Sequence, residues 1–274
     1  MVDFLFKKEN LKKGVFFYFS GTGNTEYVSR KYKELFKKKN ISVDLKIISD
    51  IFITPSLSDY DFVIVGCPVY SFNPPLFVLE FLKILPVVEK KPFFVFATCE
   101  KTVGATFFSI KNILTSKNYD YRGSYKYLMP SNCNGLFGKE EISEDKIKEI
   151  ISKTDLKIEK DFKNIIDDNK EEVKNFIFLI WGYLIIYKFF NKFYIKKHKW
   201  NFDSKKCIQC GLCERICPTN NIILKKKKNQ LKFSNNCVLC TRCYNFCPTG
   251  AIYYKSSKNK SSKRYDFFKN NFKK

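Results

Sequence analysis

Cys207-Ile-Gln-Cys210-Gly-Leu-Cys213-Glu-Arg-Ile-Cys217-Pro218 recurs further along the chain as Cys237-Val-Leu-Cys240-Thr-Arg-Cys243-Tyr-Asn-Phe-Cys247-Pro248. Both copies have the spacing C-x2-C-x2-C-x3-C-P. Three thiolates two residues apart can wrap one iron–sulfur cube, because a tight turn presents them to one point. The fourth cysteine lies past that turn and reaches the other cube. The pattern therefore assigns one [4Fe–4S] cluster to Cys207, Cys210, Cys213 and Cys247, and a second to Cys237, Cys240, Cys243 and Cys217. Each closing proline turns the chain away and removes an amide donor. A lone C-x2-C would suit zinc or a redox dithiol as well. Eight cysteines in two matching runs argue against both. A disulfide reading is weaker still, because Asp3 and several lysines interrupt the apolar patch of residues 1–14 and leave no secretion signal there.

The repeat extends beyond the ligands. Cys217-Pro-Thr-Asn-Asn-Ile222 parallels Cys247-Pro-Thr-Gly-Ala-Ile252, as expected of two halves packed about a pseudo-twofold axis. Residues 203–254 resemble the two-cluster bacterial-type ferredoxins, which implies a small α+β domain over 199–255.

The 274 residues exceed what such a domain needs, and 45% hydrophobic content supports a second core. Oxygen-labile clusters and free thiols fit a cytoplasmic location. The net charge is +23; two oxidised clusters and a flavin phosphate would reduce it to about +17. Of the 50 basic residues only five are arginine, and the lysines are spread along the chain. That fits a drift toward A/T-rich codons and a solvated basic surface. The other readings are an acidic redox partner protein or an anionic membrane surface; no nucleic-acid partner is expected, since no Arg-rich helix or aromatic RNA-reading motif occurs.

Val15-Phe-Phe-Tyr-Phe19 reads as a buried strand. Ser20-Gly-Thr22-Gly23-Asn24-Thr25 follows, and then Tyr27, Val28, Tyr32, Leu35 and Phe36 recur at helical spacing. Strand, small-residue loop and helix can hold a phosphate at the helix N-terminus. The hydroxyls of Ser20, Thr22 and Thr25 and the amides of Gly23, Asn24 and Thr25 would be the donors. The loop lacks the Gly-Lys-[Ser/Thr] of a P-loop and the third glycine of a dinucleotide fingerprint. An ordinary capped turn is the alternative. Residues 20–25 resemble the FMN phosphate loop of flavodoxins, [Thr/Ser]-x-Thr-Gly-x-Thr.

Strands are expected at 41–48, 61–65, 93–98 and 121–129, with helices at 76–85, to about Lys117, and at 143–169. The resemblance implies a flavodoxin-like, doubly wound five-stranded parallel sheet over 1–170, with ligands at the carboxyl ends of the strands. It also implies that Gly66-Cys67-Pro68-Val69-Tyr70 lines the flavin, with Tyr70 stacked on the ring or, alternatively, capping the core. Thr98 and Cys99 begin the second ring loop, which has fewer glycines than the family pattern. Cys67, Cys99 and Cys133 each follow a strand and are either small buried hydrophobes or, for two of them, a thiol pair beside the flavin.

Residues 171–198 form the connection, with Asn175–Tyr187 free of charge for 13 residues. At about 20 Å this helix falls short of a bilayer core of about 30 Å. It can pack between the two cofactor domains, lie on a membrane surface through residues 175–199 with Trp181 and the following lysines, or span as a short tilted segment. His198, the sole histidine, is not needed as a ligand; Lys225–Lys228 is a solvated hairpin tip; 256–274 is a basic, mobile tail.

The whole resembles a bacterial and archaeal family in which a flavodoxin-like domain precedes a two-cluster ferredoxin. This implies an electron-transfer protein passing single electrons between two [4Fe–4S] clusters and FMN. The alternatives are a flavin-dependent reductase of a small molecule, quinone or oxygen, and a ferredoxin whose first domain binds no flavin and serves for docking. No acid–base residue is evident for the reductase.

Overall fold

The computed structural model describes residues 11–48, 55–133, 142–173, 177–189, 200–254 and 267. Five strands, β1 (Lys13–Tyr18), β2 (Ser42–Ile47), β3 (Phe62–Pro68), β4 (Pro92–Cys99) and β5 (Asp120–Leu128), form one sheet in the order β2-β1-β3-β4-β5. All four pairings are parallel. β3 and β4 are buried at every residue, so their sequences read as unbroken apolar runs instead of alternating ones. The helices α1 (Asn24–Lys37), α2 (Leu76–Ile84), α3 (Thr106–Thr115) and α4 (Glu144–Ile166) connect or follow the strands. Neighbours in a strand point to opposite faces. Phe17 accordingly joins Phe77, Phe81 and Ile110 in one core layer, while Phe16 joins Tyr32, Phe36 and Phe162 in the other.

The second layer encloses a polar network. Tyr127 donates to the fully buried Asp161 carboxylate at 2.9 Å, and Lys157 Nζ pairs with the same oxygen at 2.9 Å. Tyr32 hydrogen-bonds Tyr127. Burial pushes the Asp161 carboxyl above its usual range, while Lys157 and Tyr127 oppose the shift. The sheet order reverses at β1, so the crevice beyond the carboxyl ends of β1 and β3 is the place for a ligand.

Strand β3 runs three residues past the expected 61–65, to Pro68, because it is paired as far as Thr98 of β4. Helix α4 ends at Ile166, short of the expected 169, where Asp167 caps it and Asp168 turns left-handed at φ 51°.

The apolar segment forms α5 (Ile177–Phe189). One side meets the flavodoxin-like domain: Tyr183 stacks on Phe72 with centroids 4.9 Å apart, and the Tyr187 hydroxyl donates to Pro74 O at 2.8 Å. The other side leaves Leu179, Trp181, Ile185, Ile186 and Phe189 exposed. Among the described residues no helix is long and apolar enough to cross a membrane. His198 lies outside the described residues.

The cysteine-rich region has two short antiparallel ladders: β6 (Trp200–Phe202) with β9 (Ile252–Tyr254), and β7 (Ile222–Lys225) with β8 (Gln230–Phe233). One helical turn follows each cysteine loop, α6 (Leu212–Arg215) and α7 (Arg242–Asn245). Their caps, Gly211 at φ 71° and Thr241 at φ 60°, occupy equivalent places, as the sequence repeat requires. Phe267 departs from the expectation of a free tail. It is fully buried against Tyr27, and its amide donates to Thr22 O at 3.0 Å.

Candidate functional site

A cavity of about 320 Å³ opens where the strands end. Its floor is the loop between β1 and α1, with Ser20, Gly21, Thr22, Asn24 and Thr25 at the lining. Ser20 Oγ accepts from Gly23 N at 3.0 Å and keeps its own proton to donate. Gly23 is the left-handed residue (φ 106°) that starts α1; its amide serves the loop, and it is not among the residues that line the cavity. Asn24 Nδ2 donates to Pro130 O at 2.7 Å. Thr25 and Thr98 share a buried hydroxyl–hydroxyl bond of 2.8 Å, which couples this loop to the end of β4.

Pro68, Val69, Tyr70 and Ser71 form one wall, and Thr98, Cys99 and Glu100 another. The turn Tyr70–Asn73 is closed by hydrogen bonds in both directions, at 2.8 and 3.3 Å, with Ser71 and Phe72 both left-handed. Two neighbours hold this costly geometry. Ala105 N donates to Phe72 O at 2.7 Å, and α5 supplies the Tyr183 and Tyr187 contacts. Gly104, at φ 55°, is where the second loop passes the first; a Cβ there would lie 2.3 Å from Phe72 O. Gly104→Ala is therefore expected to destabilise the domain by about 1–3 kcal/mol, read as a lower urea midpoint of the flavin-loaded protein.

Tyr70 lines the cavity and also extends beyond it. Its hydroxyl is buried without a hydrogen-bond partner of normal geometry among the described residues. It sits so close to Gly21 that a Cβ at that position would lie 2.4 Å from the oxygen. Burial holds the Tyr70 phenol well above its ordinary pKa, with the Cys240 and Cys133 thiols adding to the effect. Tyr70 thus reaches from the cavity toward the cysteine-rich domain.

The far wall belongs to that domain: Val238 and Leu239, the two residues between Cys237 and Cys240, line the cavity. Asn132 fixes the junction. Its side chain donates to Cys240 O (3.4 Å), and its carbonyl accepts from Thr241 Oγ1 (3.4 Å) and Asn245 Nδ2 (3.2 Å). Cys240 and Val238 pack into the same core layer as Phe17 and Phe77.

The eight cysteines surround two further cavities. Cys207, Cys210, Cys213 and Cys247 line one; Cys217, Cys237, Cys240 and Cys243 line the other. The two sets are those the spacing assigned. Each set of four thiols rings a cavity, an arrangement that fits a cubane. Backbone amides point at the sulfurs: Asn221 N to Cys217 at 3.2 Å and Leu239 N to Cys237 at 3.4 Å. Such bonds stabilise thiolate sulfur and help set a cluster's potential.

The three remaining cysteines divide. Cys99 and Cys133 line the cavity at the strand ends, whereas Cys67 is fully buried. Burial raises the Cys99 thiol to about 11 and pushes Cys67 up further. Both therefore carry their protons at neutral pH, and all three are free thiols.

Sequence reasoning missed Asn132, Tyr187, Val238 and Leu239 as parts of this site. A signal existed for the last two. The pair between the first two ligands is Val-Leu in the second run and Ile-Gln in the first, and the wholly apolar pair is the one that faces a protein wall.

The hydroxyls of Ser20, Thr22 and Thr25 at the lining, beside the start of α1, fit a phosphate-bearing flavin in the cavity. The four-cysteine cavities fit cubanes. The family model of the 4Fe-4S dicluster domain matches residues 206–252. A curated flavodoxin of Maridesulfovibrio salexigens is 35% identical over 61 residues, 22% of this chain and 42% of that one, so the match spans less than half of its relative. Among solved structures, two-electron reduced Megasphaera elsdenii flavodoxin is 24% identical, covering 43% of this chain and 89% of that one at a TM-score of 0.39. Rubredoxin oxygen:oxidoreductase of Desulfovibrio gigas is 19% identical, covering 58% and 38% at a TM-score of 0.37. Fold and site together define a flavodoxin-like sheet domain combined with a 4Fe-4S dicluster domain. Within that class the chain joins a flavodoxin-like domain, with its FMN cleft, to a two-cluster [4Fe–4S] ferredoxin domain.

Proposed function

We propose that the protein passes single electrons between its two [4Fe–4S] clusters and FMN, and that the cluster of Cys217, Cys237, Cys240 and Cys243 is the inner one, next to the flavin. The observation that carries this reading is the shared wall: Val238 and Leu239 belong to a cluster loop and line the flavin cavity. Bound FMN can exchange one or two electrons where a cubane exchanges one. The chain's own residues do the rest. Ser20, Thr22 and Thr25 hold the phosphate, while Pro68, Val69, Tyr70, Thr98 and Cys99 confine the ring. Val238 and Leu239 keep water out of the gap, and Asn132 locks the two domains in register. A cluster loop in place of open solvent on this side favours electron transfer over a bound small-molecule substrate.

Anaerobically purified protein is expected to hold about eight iron, eight sulfide and one FMN per chain. Photoreduction of the clusters by deazaflavin should be followed by bleaching of the flavin within the same molecule, at a rate independent of protein concentration. Iron without FMN after reconstitution, or reduced clusters beside a flavin that stays oxidised, would refute the proposal.

A further inference from the structure

The two cluster loops are the same turn used twice. Gln209 and Leu239 share a left-handed conformation (φ 55° and 54°). In the inner copy the pair Val238–Leu239 presses against the flavin cavity. In the outer copy the matching Ile208 is 63% exposed, and its neighbouring ligand Cys210 is exposed as well. A surface shaped to meet a redox domain is therefore presented to solvent.

The surroundings of the outer loop are basic. Asn229 Nδ2 donates to Ser204 O at 3.1 Å, which ties the hairpin tip carrying Lys225, Lys226 and Lys227 to the segment carrying Lys205 and Lys206. All five are exposed, and none forms a salt bridge with a described carboxylate. On the flavodoxin-like domain Lys31, Lys111, Lys153 and Lys157 are each paired with an acid, while Lys33, Lys37, Lys38 and Lys39 are exposed and form no salt bridge with a described carboxylate, which makes them a matched comparison. The nearby Glu214 is committed to the fold, accepting from Leu224 N at 3.1 Å. The general excess of lysine explains the number of free cations; what sets these five apart is their place around an exposed apolar side chain and an exposed cysteine of the outer set.

We propose that this face, with Ile208 at its centre and Lys205, Lys206, Lys225, Lys226 and Lys227 around it, docks an acidic one-electron carrier protein, and that electrons enter through the cluster of Cys207, Cys210, Cys213 and Cys247. In the step, one electron leaves the carrier's reduced centre and reduces the outer cluster by one; no bond or proton moves. The charge ring steers the encounter, and the apolar centre gives a dry contact beside Cys210. The inference rests on the proposed electron-transfer function.

The test is stopped-flow reduction of the holo-protein by an acidic flavodoxin in its hydroquinone form, read as the appearance of the donor's semiquinone together with bleaching of the acceptor's clusters. The second-order rate is expected to fall at least tenfold between about 20 and 300 mM salt. At low salt it should fall at least tenfold in K205E/K206E/K225E/K226E and change less than twofold in K33E/K37E/K38E/K39E, a matched reversal on α1. Photoreduction by uncharged deazaflavin should be equal in all three proteins. Should the fourfold variant lose iron, K205E/K206E is compared with K38E/K39E instead. A salt-independent rate, or equal losses in the two reversals, overturns the docking face. A flavin that stays oxidised while the clusters bleach normally overturns the proposed function and leaves the docking face standing.

Discussion

Cys217→Ser is expected to remove the inner cluster and keep the outer one, although Cys217 lies in the first cysteine run. Iron and sulfide should fall from about eight to about four per chain. Electron delivery from a protein donor to the flavin should drop at least a hundredfold, because the carrier that spans the gap is gone. The physical reason is the arrangement of the sulfurs. Cys217 lines the cavity of Cys237, Cys240 and Cys243, and its own run closes instead on Cys247. Cys207→Ser is the companion variant. It should also hold about four iron, yet its photoreduced inner cluster should still reduce the flavin. If C217S reduced its flavin as readily as C207S, Cys217 would belong to the outer set and the cross-assignment would be wrong.

Gly21→Ala should be nearly as damaging to the flavin and harmless to the clusters. The added Cβ would lie 2.4 Å from the Tyr70 hydroxyl and 2.9 Å from Cys240 O. One of those contacts is backbone and cannot swing aside, so the methyl group forces the phosphate loop, the tyrosine and the cluster loop apart. FMN affinity is expected to weaken at least tenfold, about 1.4 kcal/mol, measured by fluorescence titration of the deflavinated protein. The iron content should not change. Tyr70→Phe removes the nearer obstacle, so the double variant should recover part of the affinity, and that non-additivity is the signature of direct contact. Equal losses in the presence and absence of the hydroxyl would place the damage elsewhere. Gly21 is not among the left-handed glycines, so backbone strain does not confound the result as it would at Gly104.

The sequence was most legible where function needs fixed residues at fixed local spacing. The cysteine runs divided their eight thiols into the two sets that line separate cavities, because a turn of three residues constrains its own sulfurs whatever surrounds it. Ser20–Thr25 was legible for the same reason: strand, loop and helix start lie within a few residues. The central strands β1, β3 and β4 declared themselves because parallel strands buried on both faces carry little but apolar side chains, as in Phe93–Ala97, whereas the edge strand β2 alternates and is largely exposed.

Gly23 shows where local reading stops. It belongs to the loop motif, but its amide is turned to Ser20 and its φ starts the helix. Phe267 shows the same limit from the other side: a lysine-rich neighbourhood concealed an aromatic that fills a gap beside Tyr27.

By itself the chain's order of residues determined a flavin-type loop on a parallel sheet and two cubane sites, since each is written in contiguous residues. Which cubane faces the flavin was decided only by tertiary structure. The two cysteine runs are near copies; the Val238–Leu239 pair marks the more apolar loop but does not say what will be packed against it. That choice lies in Asn132 meeting Cys240, Thr241 and Asn245 across more than a hundred residues, and in the room left at Gly21 for the Tyr70 hydroxyl. Contacts between surfaces so distant along the chain follow from how the domains dock, which local spacing does not encode.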